Sequence, residues 1–349
     1  MRVILFDVWA QHKLRRSFGD IDVMFFNPRK YLAEHEMSST DALVKSFLLR
    51  SSGMLNFLSE VKALFQQEQF DVLVAHQNPF PPEWLIQEGD GITKVLGCFD
   101  DPQATYTRTL PAIVAYQGAY YCSPSFSHKR LTKDVFHDFG ITNTHWFPLA
   151  QNEFSQAHME NVEASWSKRE NLVSYVGKCY GSKVDRLALI NSKFGGQFRL
   201  HGKGWPLNGL AGFVAPLRGR RFLPRVVRAI SEQVRTKLYL SSLIGFNLHL
   251  GDEEEVGNMR TYETTSYGML LLCDRGGCDV HENIFEPDVE ALYYESTEEA
   301  VSIIERCFSD KKYAINIARR GFERAKVSYT YEKVLGDLLV WAGGISKVV

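Results

Sequence analysis

The sequence predicts an α/β protein of two domains, each a parallel sheet covered by helices. Short apolar runs of strand length alternate with longer amphipathic stretches through both halves of the chain. At 349 residues the chain is long for one hydrophobic core and suits two. Between the halves, Gln151 to Asn171 is polar and aperiodic, as a linker or peripheral helix would be. The domains are therefore expected at 1–150 and 172–330, with 331–349 as a terminal helix.

In the first half, Arg2 to Val8 and Asp22 to Phe26 read as strands. Asp41 to Gln67 carries leucines and phenylalanines at helical spacing. Phe70 to Ala75, Lys94 to Phe99, Ala119 to Cys122 and His145 to Pro148 complete the strand pattern. Two strand ends bear reactive groups, at the carboxyl edge where parallel sheets bind ligands. Asp100 and Asp101 can act there as a general base, or Asp-Pro can simply start a turn. His76 can hydrogen-bond a ligand hydroxyl or phosphate, although a lone histidine is more often structural.

The second half opens with a strand, Leu172 to Val176, then Gly177-Lys178 and a helix from Lys183 to Phe194. Glycine after a strand lets backbone approach a ligand, and the helix start offers amides. Gln197 to His201 is the next strand. Gly202-Lys203-Gly204-Trp205 follows it, which is not the dinucleotide fingerprint, so hydride transfer is disfavoured. Six arginines from Arg218 to Arg235 alternate with apolar residues. Such a segment either lies on an anionic membrane surface or packs its apolar stripe on the core. Glu298 to Phe308, Lys311 to Ser328 and Tyr331 to Trp341 read as closing helices.

The stretch Asn247 to Asp274 is the most informative. An apolar strand, Leu243 to Leu250, is followed by a polar loop, a helix capped by Asn258 and stopped by Gly268, and a second strand, Met269 to Cys273. Helix amides after Asn258 form an anion site, and Arg260 adds a bidentate phosphate donor. Glu263 can accept bonds from a diol, with Glu255 on the loop before it. A solvated surface edge explains the same residues without any ligand.

Glu255 and Glu263, with Gly268 ahead of an apolar strand, resemble the acidic motif of group 1 glycosyltransferases. Asn258-Met259-Arg260-Thr261-Tyr262-Glu263 is most similar to the spore-maturation-type branch of that group. The resemblance implies a GT-B fold, that is, two Rossmann-like domains facing across a cleft, with a terminal helix crossing back to the first domain. It implies a sugar transferred from a nucleotide-sugar donor to an acceptor hydroxyl on a glycan, lipid-linked glycan or protein. The transfer is expected to be a retaining hexosyl transfer without metal or cofactor. Glu263 would bind the donor ribose and Glu255 the donor sugar. Asn258, Met259, Arg260 and Thr261 with Gly177, Lys178 and Lys203 would line the donor site, and Arg186 is a further phosphate candidate. Asp100, Asp101 and His76 would form the catalytic side. The family's Gly-rich first loop has no counterpart at Trp9 to Phe18, which carries Arg15 and Arg16 instead. A non-catalytic binding component, or an epimerase or hydrolase on the same fold, is the alternative.

Charge and composition narrow the partners. A net charge of −1 gives no electrostatic footprint for nucleic acid. No apolar run reaches membrane-spanning length, and the first strand is interrupted by Asp7 with no cleavage site after it. The six cysteines show no C-x-x-C pairing and read as reduced, in a cytoplasmic protein whose peripheral contact with the inner face of the membrane would run through Arg218 to Arg235.

Overall fold

A computed structural model of the chain describes residues 1–7, 9–32, 51–99, 109–127, 130–150, 154–179, 181–205, 227–249, 257–275 and 284–345. Two compact units emerge. One comprises Met1–Phe126, Arg130–Pro148 and the chain from Val334, and the other essentially Leu149–Lys333. No described helix is long and apolar enough to cross a membrane.

The first unit is built on a seven-stranded sheet of β1 (Arg2–Phe6), β2 (Leu14–Phe18), β3 (Ile21–Phe26), β4 (Val72–Ala75), β5 (Thr93–Cys98), β6 (Gly118–Tyr121) and β9 (Thr144–Trp146). The order is β2-β3-β1-β4-β5-β6-β9. Every pairing is parallel except β2 with β3. Strands β7 (Ser125–Ser127) and β8 (Arg130–Leu131) form a separate ribbon. The interior strands are mostly apolar because both faces are covered, the exceptions being Arg2 at the start of β1 and Thr93 and Lys94 at the start of β5. Helix α1 (Ser52–Gln67) is capped by the Ser51 hydroxyl, which accepts from the Met54 amide. It buries Met54, Phe57, Leu58, Val61 and Leu64, one face of a 3.6-residue period. The earlier part of the expected helix, residues 41–50, lies outside the described residues. Helices α2 (Pro82–Glu88), α3 (Leu110–Ile113) and α4 (Thr132–Asp138) complete this unit's described helices ahead of the chain's return.

Strand β2 occupies the stretch where the family's Gly-rich first loop has no counterpart. Its sequence LRRSF shows little apolar content because it is an edge strand. Arg15 is not merely solvated there, since it pairs with Asp22 on β3 and Glu68 beyond α1.

The second unit holds a fully parallel sheet of β10 (Glu170–Val176), β11 (Phe198–His201), β12 (Ser242–Asn247), β13 (Leu270–Asp274) and β14 (Leu292–Tyr294). Its order is β11-β10-β12-β13-β14. The helices are α5 (Gln156–Ser165), α6 (Gly181–Phe194), α7 (Glu232–Ser241), α8 (Met259–Ser266), α9 (Thr297–Ser309), α10 (Lys311–Ser328) and α11 (Tyr331–Ile345). From Val334 the last helix groups with the first unit, where the Trp341 ring stacks on His145 at 5.1 Å.

In the polar stretch before β10, Gln156–Ser165 forms α5, the helical alternative of the two expected there. Val162 of α5 and Trp166 pack on Phe322 of α10. Arg169 is 1% exposed and donates to the carbonyls of Tyr239, Ser242 and Tyr267. With no carboxylate among those partners, burial pushes its guanidinium down to about 9.

Helix α8 ends on Gly268, whose φ of +62° is the left-handed cap conformation. The Gly268 and Met269 amides donate back to the Thr265 and Thr264 carbonyls, and the Trp166 indole N–H donates to the Gly268 carbonyl at 3.0 Å. A Cβ here would lie 2.5 Å from Val162 Cγ1. Gly268→Ala is therefore expected to lower stability by at least about 1 kcal/mol, read as a lower urea midpoint at unchanged slope.

Candidate functional site

Each sheet has one switch point, where successive connections leave toward opposite edges. In the second unit it lies between β10 and β12, and in the first between β1 and β4. Crevices beyond the carboxyl ends of such strands are where open α/β sheets bind ligands.

In the second unit Arg260 occupies the switch point. Its Nε–H donates to the Val176 carbonyl at the end of β10, at 2.8 Å, and Nη1 donates to Asn247 Oδ1 at the end of β12, at 3.0 Å. The guanidinium also lies 4.7 Å from the Tyr175 ring centre. Gly177 makes this possible: a Cβ there would sit 2.7 Å from Arg260 Nη2. Arg260 is thus partly a structural clamp. Nη2 has no hydrogen-bond partner among the described residues, which leaves one edge of the fork for an anion.

The start of α8 corrects the expected row of open amides. The Asn258 side chain accepts from the Arg260 amide at 3.0 Å and donates to the Leu248 carbonyl, while its own carbonyl accepts from Thr261 N–H. Among the described residues only the Met259 amide of this turn lacks an internal acceptor. The Met259 side chain is exposed. Thr261 is buried and its hydroxyl accepts from Asn247 Nδ2, so that side chain belongs to the core and not to a ligand surface.

Glu263, one turn further, is 8% exposed. Its Oε1 pairs with Arg235 Nη1 at 2.8 Å and its Oε2 accepts from the Tyr239 hydroxyl at 3.1 Å. Both partners come from α7. The carboxyl-terminal end of the basic segment therefore engages the fold itself, while Arg218, Arg220, Arg221 and Arg225 lie outside the described residues. Burial, and then the Glu263 charge, hold the Tyr239 phenol well above its usual range, so it stays a donor.

Lys178 and Lys203 are both exposed, and the Cys179 amide donates to the Lys203 carbonyl, which sets their two loops side by side. Arg186 on α6 approaches Asp274 Oδ2 at 3.5 Å. Glu255 lies outside the described residues, as do Asp100 and Asp101.

Sequence reasoning missed a buried pair at the same edge. His249, two residues past β12, bonds Asp274 Oδ1 through Nδ1 at 2.7 Å, and its amide donates to the same carboxylate. Its Nε2 accepts from the Asn258 amide at 3.5 Å, so the loop end and the helix cap are tied together. Cys273 stands beside them; these three side chains place ligand-type atoms within 4.8 Å of one another and could hold a divalent ion. The hydrogen bonding within the cluster ties the three side chains together, and burial pushes the Cys273 thiol well up. Asp274 ends an apolar strand as Asp100 follows one, a signal the sequence did carry.

In the first unit His76 follows β4 and Asp7 follows β1, across that sheet's switch point. His76 Nδ1 meets the Tyr120 hydroxyl at 2.6 Å, and Nε2 lies 3.9 Å from Asp7 Oδ2. Phe99, Tyr120 and Phe147 surround the imidazole. Burial pushes it below its ordinary value against the pull of Asp7, so it is neutral near pH 7.

Comparison with known proteins follows this geometry. A family model described as glycosyl transferase-like matches residues 184–340, somewhat under half of the chain and including α8 and its flanking strands. No curated protein matches. Among solved structures, a UDP-forming α,α-trehalose-phosphate synthase from Burkholderia xenovorans superposes at a TM-score of 0.56, with 12% identity over 98% of each chain. Anabaena HepE in complex with UDP-glucose superposes at 0.53, with 13% identity over 100% of this chain and 99% of that one. Sucrose-phosphate synthase from Thermosynechococcus elongatus gives 0.54, with 11% identity over 97% of this chain and 88% of that one. Such identities establish the fold: the chain has the GT-B architecture of these glycosyltransferases, mixed α/β with parallel sheets.

Two outcomes test the local account. Asn258→Ala is expected to lower stability by about 1 kcal/mol, with Asn258→Ser recovering most of it, by denaturant titration. Because the folded pKa of His76 lies below the unfolded value of about 6.5, its contribution is complete above that pH and is lost as pH falls. Replacement by Gln is expected to flatten the loss of stability between pH 6.5 and 5 relative to wild type.

Proposed function

We propose that this chain is a glycosyltransferase that takes a sugar from a nucleotide-sugar donor held by the second unit. The observation that carries this reading is the carboxylate of Glu263, held on α8 one turn beyond the Arg260 guanidinium. A carboxylate is an acceptor-only group suited to the two hydroxyls of a ribose, and the open edge of Arg260 suits the diphosphate. The match of the family model to this region supports it. So do the titles of the structural neighbours, which name UDP-forming and UDP-glucose-bound proteins and make UDP the first donor nucleotide to try.

In the transfer, the bond from the sugar C1 to the β-phosphate oxygen breaks, a bond from C1 to the acceptor oxygen forms, and the acceptor hydroxyl's proton passes to a carboxylate base or to the departing diphosphate. The departing diphosphate gains negative charge, which Arg260 Nη2, the Met259 amide, Lys178 and Lys203 would stabilise electrostatically, without a metal ion. Arg186, which approaches Asp274 at 3.5 Å, is a further candidate for that set. The finer parts of the reading are a retaining hexosyl transfer and membership of the spore-maturation-type branch, both resting on the Asn258 to Glu263 sequence. The first unit would present the acceptor, a glycan, lipid-linked glycan or protein hydroxyl, with His76 and, outside the described residues, Asp100 and Asp101 as the candidate catalytic groups.

Calorimetric titration with UDP and UDP-glucose tests the donor site. Glu263→Ala is expected to weaken binding by about 1.5 kcal/mol or more, a factor of about 10, because charge-assisted hydrogen bonds are lost. Folded wild-type protein that binds no nucleoside diphosphate or nucleotide sugar would overturn the reading. Binding without sugar transfer to any acceptor would favour a non-catalytic sugar-nucleotide-binding component.

A further inference from the structure

The Glu263 carboxylate is held more firmly than its place on a short helix requires. Arg235 and Tyr239 lie on one face of α7, a turn apart, and each addresses a different oxygen of the same carboxylate. Tyr239 is itself immobilised. Its ring meets Tyr267 at 5.2 Å and 70°, and its backbone carbonyl accepts from the buried Arg169 guanidinium. Arg169 also donates to the Tyr267 carbonyl just past α8, so one cation fixes the ends of both helices relative to each other.

An ion pair of a nearly buried carboxylate gains little stability over an apolar pair of the same volume. What two directed donors do supply is orientation. They fix the plane of the carboxylate, so that its two oxygens are presented together. A vicinal cis-diol offers two hydroxyl hydrogens at a spacing one carboxylate can accept as a pair.

We propose that Arg235 and Tyr239 are positioning residues that make Glu263 a reader of the intact 2′,3′-diol, and so restrict the donor to ribonucleotides. The proposal rests on the donor reading above. The clamp acts before ligand arrives, which lowers the ordering that binding must supply.

The test measures affinities of UDP, GDP and ADP and of their 2′-deoxy counterparts, on the full chain, for wild type and Tyr239→Phe. The phenylalanine ring keeps the packing on Tyr267 and deletes only the hydroxyl. Wild type is expected to prefer the best ribonucleotide over its deoxy form by about 10-fold or more, as expected when buried polar groups lose their partner. Tyr239→Phe is expected to reduce that ratio to a few-fold, through weaker ribonucleotide binding at unchanged deoxynucleotide binding. Arg235→Gln, which keeps a neutral donor, is expected to shift the ratio the same way and serves if Tyr239→Phe does not fold. Equal losses for both nucleotides, or an undiminished ratio, would overturn the proposal and leave the donor site standing. Wild-type protein that binds none of the six would overturn the donor reading and this proposal with it.

Discussion

The second unit is organised by a guanidinium that ties two strands and a helix. A parallel sheet whose order reverses must diverge at its carboxyl edge, and the gap exposes carbonyls that need donors. Arg260 satisfies one on β10 and meets the terminal asparagine of β12 while its own helix is anchored by Asn258. The crevice is therefore bridged by a cation, and a phosphate arriving there meets a charge already held in place.

The amino edge of the same sheet is held by a second arginine used in a different way. Arg169 is buried among three carbonyls and faces no anion, so its role is to seat α7 and α8. Seating both helices on one group sets the distance between Glu263 and its two donors. Asp274 and His249 perform a related task at the carboxyl edge, where the imidazole joins the loop after β12 to the cap of α8. Polar groups that a globular core would ordinarily exclude thus concentrate around one short helix, in which every residue from Thr261 to Ser266 is buried.

Much of this was legible in the sequence because it is local. Asn258 as a cap, Gly268 as a stop and the apolar strands on either side follow from periodicity and from the backbone preferences of those residues. The two-sheet architecture follows from the same alternation. What escaped was non-local or inconspicuous. Strand β2 carries too little apolar character to announce an edge strand. Asp7 looked like an interruption of a strand and is a neighbour of His76. Arg235 looked like one of a basic series, because nothing in its own segment shows that its partner lies on a helix beyond the next strand. Thr261, conversely, looked available and is core, since its orientation depends on a contact with Asn247. Side-chain direction at helix starts is set by packing, and the sequence records only the residue type.

The central claim is that the carboxyl edge of the second sheet, between β10 and β12, is the nucleotide site. Hydrogen–deuterium exchange of the full chain with and without UDP or UDP-glucose tests it most directly, since it maps ligand onto backbone. Protection at the end of β10, in α7 and in α8 is the expected result. No change in those segments at saturating nucleotide, or protection confined to the first unit, would contradict the account.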